Sequence, residues 1–214
     1  MKTLLLNLIL ILSLIGNGHG ESVDEALQSI AVDISNQELI VAKAKSIESS
    51  MPAPEVVREV MSAIMASQTP NSEVAGIRLL QAINPFPFAE LVNRYSSAKS
   101  SRERGFILRI LKPPLYPSAG STRPDFGNGE QVRQVKTLAI SALADTGDAM
   151  NLYGEARAYG LAPLRVCDMG YNTLVTVLAI PKDFPLINID DDEIPQRDKM
   201  IDQLRAYLKT HQEK

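Results

Sequence analysis

Apolar residues recur along this chain at three- and four-residue steps, the pattern of helices that bury one face. Val23, Leu27 and Ile30, then Leu39, Ile40, Val41, Ala44 and Ile47, predict two helices with a break at Asp33, Ser35 and Asn36. Pro52 and Pro54 stand where a helix can start without losing a hydrogen bond, and Val57, Val60, Met61, Ile64 and Met65 carry that helix to a polar turn at residues 67–72. Short helices follow over Val74, Ile77, Leu79 and Leu80, over Leu91, Val92 and Tyr95, and over Phe106, Ile107, Ile110 and Leu111, the last stopped by Pro113 and Pro114.

A stretch at about 113–130, with Pro117, Gly120, Pro124, Gly127 and Gly129, predicts a long surface loop. Beyond it Val132, Val135, Leu138, Ala139 and Ala142 form a stripe that ends at Asp145-Thr146-Gly147. That ending reads as a helix stopped by a left-handed glycine. Asp148 then caps a second helix through Ala149, Leu152, Tyr153, Ala156 and Tyr159. Residues 163–178 predict another helix despite the β-branched run at 173–177. The segment 195–211 is amphipathic, with Met200, Ile201, Leu204, Tyr207 and Leu208 opposite Arg197, Lys199, Asp202, Gln203 and Arg205. The expected fold class is all-α, with antiparallel helical pairs stacked or gathered into an irregular bundle, in one domain over residues 21–214.

The first twenty residues are of another kind. Lys2, an apolar run at 4–15 and small residues at Gly18 and Gly20 make the three parts of a secretory signal peptide. The run falls short of the roughly 20 apolar residues that span a bilayer. The expectation is a secreted or periplasmic protein that starts near Glu21 and inserts in no membrane once the leader is cut. Without that leader the chain carries 21 basic and 25 acidic residues and no Lys/Arg cluster, which speaks against nucleic acid as a partner. Of 214 residues 45% are hydrophobic, but there is one cysteine, no tryptophan and two histidines. A disulfide framework is therefore excluded, no metal site or cofactor is expected, and helix packing must supply the stability.

Three strings could carry chemistry. Asp145-Thr146-Gly147 matches one half of the aspartic-protease signature, but a protease needs two such loops at strand ends, and this one follows an alanine-rich helix. Cys167 could be a nucleophile only with a base beside it, and His211 lies in the last four residues, so a buried core thiol is expected. Asp190-Asp191-Asp192-Glu193 lacks the alternating ligands and central glycine of a calcium loop and reads as an acidic turn before the final helix. In the long loop, Tyr116, Arg123 and Phe126 are candidate anchors for a protein interface.

Four helices open with related strings: Val57-Arg58-Glu59-Val60, Arg102-Glu103-Arg104-Gly105, Val132-Arg133-Gln134-Val135 and Leu164-Arg165-Val166-Cys167. They fit units of roughly 30–40 residues, each too small to bury its own apolar face alone. With Gly147-Asp148 between two of them, residues 132–178 resemble HEAT-type helical repeats, and residues 52–82 do so more loosely. The resemblance implies a short α-solenoid that serves as a scaffold or binding surface, with Arg58, Arg133, Asp148, Arg165 and Asp168 as structural repeat positions. The expected function is an exported helical-repeat scaffold or protein-binding module without catalytic activity, its partner another protein. The alternative is an exported hydrolase of unrecognised type.

Overall fold

A computed structural model describes residues 21–67, 69–112, 129–177, 184–189 and 193–211, except for the side chain of Glu155. The leader, the loop residues Tyr116, Arg123 and Phe126, and residues 190–192 of the acidic run lie outside the described residues. Among those described, every regular element is a helix: α1 (Val23–Val32), α2 (Gln37–Glu48), α3 (Ala53–Ala66), α4 (Pro70–Ala82), α5 (Phe88–Ser97), α6 (Ser101–Leu111), α7 (Gly129–Ala142), α8 (Gly154–Ala158), α9 (Val166–Val177) and α10 (Ile194–His211). The fold class is all-α.

Local chemistry sets where these helices start. Ser22 and Glu25 form a reciprocal capping box on α1, and Asn36, Thr69 and Ser100 each accept a main-chain N–H at the start of α2, α4 and α6. Proline opens α3 and α4, where a missing N–H costs nothing.

The most extensive helix contacts join α7 with α9, α1 with α4 and α6 with α9, so a helix's main partner is not always its neighbour in sequence. Within pairs, α1 meets α2, α3 meets α4, α5 meets α6 and α7 meets α9; between pairs, α1 and α2 meet α3 and α4, α3 and α4 meet α5 and α6, α6 meets α9, and α9 meets α10. Among the described residues, the substantial helix contacts thus run from α1–α4 through α5 and α6 to α9, and from α9 to α7 and α10. One apolar core runs through α1–α6 and reaches Val135, Ala149, Val166 and Met169. A second lies between α7, α9 and α10 around Leu143, Tyr171, Leu174, Ile201 and Leu204. The two meet where α9 crosses α7: a methyl on Gly170 would stand 2.8 Å from the Ala139 carbonyl oxygen and 2.8 Å from the Ala142 Cβ. Only glycine permits that approach.

The stretch after α7 departs from the periodic pattern. Gly147 is not left-handed, because positive φ falls at Gly154 and Gly160 instead. Glycine is required at 147 for another reason, since a methyl there would stand 2.7 Å from the Ser101 Cβ. Nor does Asp148 cap a helix. It forms an antiparallel bridge with Arg165, with Ala149 N–H donating to Leu164 O at 2.8 Å and Val166 N–H to Gly147 O at 2.9 Å. The expected helix through Ala149 and Tyr159 shrinks to the five residues of α8. Chain pairing with the start of α9 takes up the main-chain groups of residues 147–149 that a helix would have used.

Candidate functional site

The segment between Asp148 and Pro163 borders an open cleft of about 510 Å³, lined by Asp148, Met150, Asn151, Tyr153, Arg157 and Pro163 among others. Its wall is held from behind at two places. A methyl on Gly105 would lie 2.8 Å from the Ala149 Cα and 2.9 Å from its carbonyl oxygen, so α6 and the wall touch backbone to backbone. Tyr153 Oη donates to Glu73 Oε1 at 3.0 Å and accepts from Asn151 Nδ2 at 3.3 Å.

Glu73 is the anchor of this arrangement. It is buried on α4, yet it receives Arg102 Nη2 at 2.8 Å and Arg109 Nη1 at 3.3 Å, both from α6, as well as the tyrosine. Arg102 also donates to the carbonyls of Ile64, Met65 and Ser67, which closes the exposed carbonyl end of α3. Burial draws the Arg109 guanidinium below its ordinary value, opposed by Glu73. Burial, reinforced by Glu73 against the Asn151 amide, pushes the Tyr153 phenol above its usual range and keeps it a donor.

A second buried ionic cluster holds the far end of the wall. Asp168, with no exposed surface, accepts from Arg165 N–H at 2.9 Å, from the Arg165 guanidinium at 2.9 and 3.2 Å, and from Arg197 Nη1 at 3.4 Å. Arg197 reaches down from α10 to the carbonyls of Pro163, Ala162 and Ile189. Arg165 also meets Asp198 at 2.8 Å. Burial works against its charge, but the hydrogen bonds it donates to Asp168 and Asp198 hold its guanidinium above the ordinary range.

The positions marked in the sequence distribute unevenly over this geometry. Arg165 and Asp168 are brought together in the second cluster, and Asp148 lies on the cleft rim, exposed. Arg58 and Arg133 lie exposed on α3 and α7 and pair locally, with Glu55 and Glu59 in one case and Glu130 in the other. Asp145 is a fastened turn residue: its carboxylate accepts from Arg104 Nε at 2.7 Å, Ser101 Oγ at 3.2 Å and Gly147 N–H at 3.0 Å. Cys167 is buried, and burial together with the Asp168 charge pushes its thiol up to about 11. His211 sits at the end of α10, stacked on Tyr207 with 4.0 Å between ring centres.

Glu73, Arg109, Tyr153 and Arg197 carry no mark as a group in the sequence. Their partners lie far along the chain, and Arg197 falls on the polar side of the α10 pattern although it is buried. The available signal was a lone acidic residue inside the α4 stripe. Other grooves include one of about 420 Å³ between α1 and α3, with Ser62 in its lining, and one of about 250 Å³ between α7 and α10, with Lys209 in its lining. No family model matches this chain, and no curated protein or solved structure matches it.

Proposed function

We propose that this chain is an exported helical-repeat scaffold, HEAT-like in its stacking, that binds another protein and carries out no catalysis itself. The observation behind this reading is the order of helix contacts, which run from α1–α4 through α5 and α6 to α9 and α10, with no helix among the described residues packed on one far away in that order. That is how repeat proteins extend a surface without enclosing a deep pocket. The chemistry of the candidate groups supports it. Asp145 is committed to Arg104, Ser101 and Gly147, and the Cys167 thiol is buried and protonated at neutral pH, so neither is poised as acid, base or nucleophile.

Photoreactive residues placed singly at Ser62, Arg157 and Lys209, one in each groove, test it in the native host. A discrete protein adduct from at least one position, recovered outside the cytoplasm on a chain that starts near Glu21, is the expected result. Absence of adducts at all three positions, or a retained leader on cytoplasmic protein, would overturn it.

A further inference from the structure

We infer, building on the protein-binding reading, that the Asp148–Pro163 cleft takes an extended peptide segment of a partner protein. The peptide main chain runs along Met150–Tyr153, with a basic side chain at Asp148 and an acidic one at Arg157. The first support is the state of the main chain. Ala149 N–H is used, donating to Leu164 O at 2.8 Å, but the N–H groups of Met150, Asn151, Leu152 and Tyr153 donate no hydrogen bond within the described residues. Main-chain donors that the protein itself leaves unused, next to a point where it already pairs two chain segments, are available to the carbonyls of a bound peptide.

The second support is charge. Asp148 and Arg157 line the same cleft, both are exposed, and among the described residues neither has an ion-pair or side-chain hydrogen-bond partner. Around them Arg102, Arg104, Arg109 and Arg165 are engaged in internal pairs. A ligand charge can therefore meet Asp148 or Arg157 without breaking a contact that holds the fold. Among the described side chains the cleft thus offers one unpaired charge of each sign, which favours a peptide with both over a polyanion, which Asp148 would repel.

The third support is rigidity. The cleft wall is fixed through Tyr153 on Glu73 and Ala149 on Gly105, which lowers the ordering cost of binding.

Panning a phage-displayed random dodecapeptide library on the full chain, in parallel with its Asp148→Lys/Arg157→Glu variant, tests the assignment. Peptides selected on the natural chain should carry a basic residue and an acidic residue and lose at least about tenfold in affinity for the variant. Exchanging those two residues within a selected peptide should restore binding to the variant. Both sites are exposed, so the variant should melt at the same temperature as the natural chain, which shows that it folds. The proposal is overturned if nothing is enriched on the natural chain over the variant, or if selected peptides bind both equally. With adducts persisting at Ser62 or Lys209, that result removes this cleft but leaves the protein-binding reading standing; with none at any position, both fall.

Discussion

The hydroxyl of Tyr153 donates a 3.0 Å hydrogen bond to Glu73, a carboxylate 80 residues earlier in the chain. This contact joins the wall of the cleft to the junction of α4 and α6, so the surface proposed to bind is braced by the interior. The same carboxylate pairs with both Arg102 and Arg109, and its three partners are unequal in what they lose without it.

Glu73→Ala should destabilise the fold by about 3 kcal/mol, the low end for a broken buried ion pair, because the two arginines retain some exposure. Tyr153→Phe should cost only about 1 kcal/mol, the loss of one hydrogen bond with the ring still in place. Urea unfolding of the two variants and the double variant checks this. Coupling should be clearly non-zero, and additive effects would mean that the tyrosine does not lean on Glu73.

Asp168 connects α9 to α10 through Arg165 and Arg197, and its removal leaves two mostly buried cations without their shared partner. Asp168→Ala should therefore cost about 3–5 kcal/mol. Hydrogen exchange should quicken first in α10 and around Ala162, Pro163 and Ile189, whose carbonyls Arg197 holds. Faster exchange spread evenly over α1–α6 would contradict the local role.

The helices were legible because their stripes are made by neighbours in sequence. Val57, Val60, Met61 and Ile64 advertise a buried face whatever they pack against, and all four are buried. The cleft was not legible. Ala149, Leu152, Tyr153 and Ala156 have helical spacing, but Ala149 is drawn onto Gly105 and the Leu164 carbonyl, and no local pattern reports a contact across that distance. Arg197 fails for the same reason: its place on the α10 wheel is polar, and only the folded chain brings Asp168 and three carbonyls to meet it.

Gly105→Ala tests the backbone contact behind the cleft. The added methyl meets the Ala149 Cα at 2.8 Å, and main chain cannot step aside as a flexible side chain would. A loss of about 1–3 kcal/mol is expected, as for overpacking in a close-packed interior. The altered nuclear magnetic resonances should centre on residues 148–153. An unchanged melting temperature would show that α6 and the wall are loosely apposed.

Cys167 gives a pH dependence of defined sign. Its thiol is held protonated up to about 11 in the folded chain, against 9.0 for an ordinary cysteine, first by burial and then by the Asp168 charge. Between those values the unfolded chain releases a proton that the folded chain keeps, so stability must fall as pH rises. The contribution is fully present below pH 9 and fades toward pH 11, a loss of about 2 kcal/mol. Lysines and tyrosines also titrate there, so the readout is the difference between the natural chain and Cys167→Ala, each unfolded with urea at pH 8 and pH 11. The natural chain should lose more stability than the variant over that interval. The native thiol should also resist a maleimide at pH 8 until urea opens the fold. Parallel losses in the two chains, or rapid labelling of native protein, would place Cys167 in contact with solvent and make its ionisation irrelevant to the α7–α9–α10 core.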